Sequence, residues 1–123
     1  MIEELGITAS EVESMIKNGD QLFFVDVRHH QDWDWAVLKA RGALRVNDDQ
    51  VDQNVELIPR ERTVIVYSSC VNDERSCYTA RLLQERGWQD AHYLVGGFNA
   101  YCEEGLPVED IGSGSATRKI MLL

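Results

Sequence analysis

The sequence predicts an α/β domain built on a largely parallel sheet. Two apolar runs, "LFFVDV" at 22–27 and "TVIVY" at 63–67, have strand length and almost no polar interruption. Runs of that kind are buried on both faces of a parallel sheet. The segments between them carry helical periodicity with start and stop residues. Strands and helices therefore alternate, which implies βαβ units. At 123 residues the chain has the length of one domain. With 44% hydrophobic residues it can bury a real, if small, core.

In "ITASEVESMIKNG", Thr8 stands three residues before Glu11, a capping box. Val12, Met15 and Ile16 share one helical face, and Gly19 suits the stop. After the first strand, "HHQDWDWAVLKA" predicts a short helix or helical turn and "GALRV" a brief strand. "DDQVDQNVELIP" predicts a helix capped by Asp48 or Asp49, with Val51, Val55 and Ile58 inward and Pro59 after it. The second strand, Thr63–Tyr67, leads to a helix expected from Arg75 to Arg86. Ser76, Thr79, Ala80 and Leu83 form its inner stripe and Gly87 its stop. "AHYLV" predicts a strand, "GG" a turn and "FNAYCEEG" a short helix ending at Gly105, with Pro107 beyond. The Gly/Ser-rich end, "IGSGSATRKIMLL", predicts a flexible C-terminal extension over 111–123, leaving 1–110 as the folded domain.

Composition removes several classes of function. Twenty-one acidic against 12 basic residues leave a net charge of −9. Nucleic acids and anionic membrane surfaces require a basic footprint, so neither is an expected partner. The acidic start "MIEELGITASEVE" is unlike a signal peptide, and no apolar run reaches membrane-spanning length. Three cysteines fit a reducing cytoplasm better than a disulfide scaffold. Those cysteines and His29, His30 and His92 do not fall at zinc-ligand spacing.

The stretch that carries chemistry is "VIVYSSCVNDERSCYTARLLQERG". Ligands in parallel sheets bind beyond the carboxyl ends of the strands, and the loop from Ser68 holds that position. A loop bending into a helix N-terminus turns successive N–H groups, and the positive end of the helix, toward one space. A cysteine thiol facing it can lose its proton more readily, its pKa falling from about 8.5 to roughly 3.5–7.5. Cys70 is thus the candidate nucleophile. Arg75, with its planar fork of donors, is the candidate group for holding the loop or an anionic substrate.

The ordered set of motifs resembles the rhodanese-like sulfurtransferases. Cys70, Val71, Asn72, Asp73, Glu74, Arg75 and Ser76 reproduce that family's cysteine, four loop residues, arginine and serine. Asp26-Val27-Arg28 at the end of the first strand, Asp32-Trp33, Gly42-Ala43 and "YLVGGFNAYCEEGLPV" are similar to further family motifs, over roughly residues 6–108. The resemblance implies about five mainly parallel strands flanked by helices on both faces. It also implies that Cys70 takes sulfane sulfur from a small donor or a protein persulfide, carries it as a persulfide and passes it to a thiol or other nucleophile. Residues 71–76 would form the substrate cradle, and no metal or organic cofactor is implied. The alternative is a catalytically impaired rhodanese-like module that serves as an interaction or regulatory domain.

Three features depart from the family. Ser68 and Ser69 stand between the strand and Cys70, so either the pair bulges and Cys70 regains the catalytic place, or Cys70 is displaced. Asp73 and Glu74 put acid into the cradle, which disfavours thiosulfate, a dianion, and favours a donor of lower charge. "AVLKARGA" lacks the family's histidine and proline. Related phosphatases need five residues between cysteine and arginine, which would place the cysteine at Ser69. Asp26 and Arg28 read as structural, Cys77 as a surface or half-buried helical cysteine in preference to a resolving thiol, and Cys102 as a packing residue.

Overall fold

The computed structural model describes residues 5–69 and 72–111. Of the expected extension over 111–123, residues 112–123 lie outside the described residues, as do Cys70 and Val71 within the loop, whereas Ile111 is buried and its amide donates to the Val37 carbonyl at 3.0 Å. The elements in chain order are β1 (Gly6–Ile7), α1 (Ala9–Lys17), β2 (Leu22–Asp26), α2 (His30–Trp35), β3 (Leu38–Ala40) and β4 (Leu44–Arg45). They continue with α3 (Val51–Asn54), β5 (Thr63–Tyr67), α4 (Glu74–Glu85), β6 (Ala91–Leu94), α5 (Gly97–Glu103) and β7 (Val108–Asp110).

The main sheet has the order β1-β6-β5-β2-β4, and every neighbouring pair in it is parallel. In the register of β2 and β5, Leu22 faces Thr63 and Asp26 faces Tyr67. The carboxyl ends of the two central strands are therefore level. From β2 the chain moves toward β4 at one edge, and from β5 toward β6 on the other side. The order reverses between β2 and β5, and that crevice is where open parallel sheets bind ligands.

Side-chain alternation along the strands divides the core. Val25, Val64 and Val66 face α4 and the α3 region, packing on Ala80, Leu83, Val51, Ile58 and Trp88. Phe24, Ile65 and Tyr67 face the other way, onto Ala9 and Val12 of α1 and Tyr101 of α5. The capping box forms as expected, Thr8 Oγ1 accepting from Glu11 N at 3.1 Å and Glu11 Oε1 accepting from Thr8 N at 2.8 Å. The inner stripe Ser76, Thr79, Ala80 and Leu83 is buried. Among the described residues no helix is long and apolar enough to cross a membrane.

Two local expectations need correction. The segment 48–57 is a 3-10 turn, four residues of α-helix and a second 3-10 turn, not one helix. The cap expected at Asp48 or Asp49 falls at Asn47 instead, which makes no side-chain capping bond. Val51, Val55 and Ile58 pack this segment on the core, the Trp88 indole donates to the Ile58 carbonyl at 3.0 Å, and Arg86 pairs with Asp52. The second correction concerns Leu38–Ala40, which is a strand and not a continuation of α2. It pairs antiparallel with β7, Leu38 opposite Asp110 and Ala40 opposite Val108. Its partner lies about seventy residues away in sequence, so local periodicity had no access to this ribbon.

Candidate functional site

The crevice between β2 and β5 is organised by a buried carboxylate. Asp26, fully buried at the end of β2, accepts from Arg28 Nη2 at 2.7 Å and from the Tyr67 hydroxyl at 2.8 Å. Arg28 Nε lies 3.2 and 3.1 Å from its two oxygens, and the Arg28 amide donates to Oδ1 at 3.0 Å. Arg45 adds a second cation 3.7 Å from Oδ1. The Tyr67 oxygen in turn accepts from the Ala40 amide at 3.0 Å. Burial, with the negative charge of Asp26 adding to it, pushes the Tyr67 phenol far above its ordinary value, so it is a fixed donor here.

Arg28 completes the floor of the crevice. Its guanidinium lies 4.3 Å from the Phe98 ring centroid, with the Trp33 and Tyr67 rings at 5.5 and 5.7 Å. Its Nη2 also donates to the Leu38 carbonyl at 2.9 Å. Asp26 and Arg28 are thus a buried, mutually neutralising pair, in keeping with their structural reading. The roles of Trp33 and Phe98 were not evident in the sequence. Asp32-Trp33 and the Gly-Gly-Phe run were visible as motifs, but nothing local says that both rings enclose one guanidinium.

The candidate loop runs from the carboxyl end of β5 to the N-terminus of the 12-residue helix α4. It is clamped on both sides. Ser68 is buried, its carbonyl accepting from Phe98 N at 2.9 Å and its hydroxyl lying 3.4 Å from Ser76 Oγ. Ser69 is exposed and donates to Asp32 Oδ2 at 2.6 Å, tying the loop to α2. Asp73 sits at the N-cap of α4 in the left-handed region, φ +56°. It is buried, and its Oδ2 accepts from Gly96 N at 3.0 Å. Its Oδ1 is buried with no hydrogen-bond partner among the described residues.

Gly97 makes this contact possible. A Cβ there would lie 2.4 Å from the Ser68 carbonyl oxygen and 3.5 Å from Asp73 Oδ1, on a backbone with φ +61°. The turn after β6 can approach the loop only because that side chain is missing.

The sequence candidates are therefore distributed as follows. Cys70 and Val71 lie outside the described residues. Asn72 and Glu74 are exposed at the mouth of the loop, Arg75 is half-buried, and Asp73 and Ser76 are buried. α4 begins at Glu74, one residue before the expected start. The Asp73 carboxylate is engaged by the Gly96 turn, so of the two acids expected in the cradle only Glu74 stands exposed. Cys77 is half-buried on α4, its sulfur 3.9 Å from Arg81 Nη2. Cys102 is exposed, contrary to its expected packing role. Desolvation nevertheless pushes its thiol upward, which works against nucleophilicity.

Residues 8–104 match the rhodanese-like domain. The chain belongs to the rhodanese-like domain family. It is 28% identical over 103 residues to the thiosulfate sulfurtransferase GlpE of Haemophilus influenzae, covering 84% of this chain and 92% of GlpE. It is 27% identical over 103 residues to the probable adenylyltransferase/sulfurtransferase MoeZ of Mycobacterium tuberculosis. That match takes in 82% of this chain and spans only a quarter, 25%, of MoeZ. Among solved structures, a rhodanese-related protein from Thermoplasma volcanium superposes with a TM-score of 0.68 at 19% identity, covering 85% of this chain and 96% of that one. The rhodanese-like fold thus accounts for the single α/β domain, the five-stranded parallel sheet and the placement of the loop at its carboxyl edge.

Proposed function

We propose that this rhodanese-like domain is a sulfurtransferase whose nucleophile is Cys70. The observation that carries the proposal is the clamped loop at the crevice between β2 and β5. Ser68 and Asp73, on either side of residues 70–71, are both buried and both bonded to the turn at 96–98. Fixing the two flanks lowers the ordering that a nucleophile between them needs before it can react. The segment then enters the N-terminus of a 12-residue helix, where negative charge is favoured. The relatives named as sulfurtransferases support the same class of chemistry.

In the proposed reaction the Cys70 thiolate attacks a sulfane sulfur, the donor's sulfur bond breaks, and Cys70 carries the persulfide. An acceptor thiolate then attacks the outer sulfur and releases Cys70. The backbone amides of residues 71–75 and the end of α4 stabilise the persulfide anion. Arg75 braces the loop or holds an anionic substrate, and the exposed Glu74 disfavours dianionic donors such as thiosulfate. Asp73 acts differently from a substrate ligand: it positions the loop by accepting from Gly96. The domain works without a metal or organic cofactor, in the cytoplasm.

The test is intact-mass measurement after incubation with a sulfur donor. One added sulfur that is absent in Cys70→Ser and retained in Cys77→Ser is the expected result. A wild-type chain that gains no sulfur from thiosulfate, polysulfide or a persulfide donor leaves the interaction-module reading in its place.

A further inference from the structure

We propose that the exposed edge formed by α2 docks a basic, partly apolar protein segment that presents the donor's persulfide. The chemistry rests on the sulfurtransferase reading above; the docking itself does not.

α2 presents its two tryptophans to opposite sides. At 100° per residue, positions two apart on a helix point about 200° from each other. Trp33 turns inward, its ring 5.5 Å from the Arg28 guanidinium and 4.9 Å from that of Arg45. Trp35 turns outward and is 89% exposed, and Val37, two residues on, is 73% exposed. Isolated surface apolar residues are ordinary, but tryptophan is the side chain most enriched where protein partners bind. Here one tryptophan anchors the helix and leaves the other fully presented.

The surroundings of Trp35 select the partner. Asp32 and Asp34 are exposed on the same short helix, whose last turn has no basic residue. The whole chain carries −9. A second copy of this chain, a nucleic acid or an anionic bilayer would be repelled, whereas Lys or Arg flanking an apolar side chain matches both the acids and the ring. The edge is also joined to the reactive loop. Asp32 accepts from Ser69, the residue before Cys70, at 2.6 Å. A segment seated on Trp35 therefore lies beside the entrance to the loop. There the Cys70 thiolate attacks the outer sulfur of the segment's Cys–S–SH, and the sulfur–sulfur bond breaks. The peptide sulfur leaves as a thiolate and takes the proton carried by the transferred sulfur, so the products are a peptide thiol and the Cys70 persulfide anion, with no net oxidation.

The test uses two synthetic peptides of equal length. Each has one cysteine beside a leucine, flanked in one by Lys and Arg and in the other by Glu. In calorimetric titration of the full reduced chain, the thiol form of the basic peptide is expected to bind, more weakly as salt is raised. Trp35→Ala is expected to weaken it about tenfold, and Asp34→Asn to weaken it and flatten the salt dependence. Equal binding of the two peptides, or an unchanged affinity in Trp35→Ala, overturns the proposal. With the persulfide forms, Trp35→Ala should slow loading from the basic peptide while leaving loading from a small persulfide unchanged. Equal slowing of both donors also overturns it. If the wild type takes sulfur from no donor, the sulfurtransferase reading fails, and the titration alone decides the docking surface.

Discussion

Removing the Arg28 side chain should damage the domain far more than an ordinary surface change, and a double-mutant cycle can show why. Asp26 is fully buried and Arg28 is 6% exposed, with Nη2 and Oδ2 2.7 Å apart. Two unit charges about 4 Å apart at an effective dielectric of 20 attract by about 4 kcal/mol. Much of that only offsets the cost of taking both out of water, so the pair need not stabilise the fold on balance. Losing one partner is a different matter, because it leaves the other charge buried, at a cost of about 3–5 kcal/mol. In Arg28→Met, Arg45 remains 3.7 Å from Asp26 and the Tyr67 hydroxyl still donates to it. The expected loss therefore sits at the lower end, about 3 kcal/mol, a large part of the 5–15 typical for a domain. Asp26→Asn leaves Arg28 facing a neutral amide and should cost a similar amount. The double variant Asp26→Asn/Arg28→Met strands neither member of the pair, Arg45 keeping the Asp26 carbonyl and Asn47 Oδ1 as acceptors, and should lose at least about 2 kcal/mol less than the sum of the single losses. Urea unfolding of the four proteins, with equal m-values as a check on two-state behaviour, measures the cycle. Additivity within about 0.5 kcal/mol would refute the argument that the crevice is held by mutual charge compensation.

Other consequences are as direct. Gly97→Ala places a Cβ 2.4 Å from the Ser68 carbonyl oxygen at φ +61°. It should cost at least about 2 kcal/mol in urea unfolding and slow sulfur loading by about a hundredfold through displacement of the loop. Asp73→Gly keeps the left-handed backbone and removes the carboxylate, whereas Asp73→Ala also adds strain at φ +56°. The alanine variant should therefore be the less stable of the two by about 1 kcal/mol, and Asp73→Asn should restore loading by offering the Gly96 amide an oxygen. Thr8→Ala should cost about 1 kcal/mol near neutral pH. The backbone and hydroxyl hydrogen bonds from Thr8 hold the Glu11 carboxyl below its ordinary value. A depressed folded value adds stability above the unfolded pKa and loses it as pH falls through the folded one, so the gap between wild type and variant should narrow in acid unfolding curves. Cys102→Ser should load sulfur at the wild-type rate in the mass assay, since that thiol is pushed upward and lies outside the clamped loop.

By itself the sequence determined the class of fold, the central strands, the inner stripe of α4 and the capping box of α1. Those features depend on residues within one element: apolar runs, a 3.6-residue period, and a threonine three positions from a glutamate. It also gave the spacing of cysteine and arginine that pointed to the family. The tertiary structure alone decided what surrounds the loop. Tyr67 bonds to Asp26 across 41 residues of sequence, Ser69 to Asp32 across 37 and Gly96 to Asp73 across 23. The same is true of the β3–β7 ribbon, the uncapped segment at 48–57, and the opposite fates of Trp33 and Trp35. Whether a carboxylate repels a substrate, clamps a turn or neutralises a buried guanidinium depends on which distant groups the sheet brings within about 3 Å, and no local pattern records that.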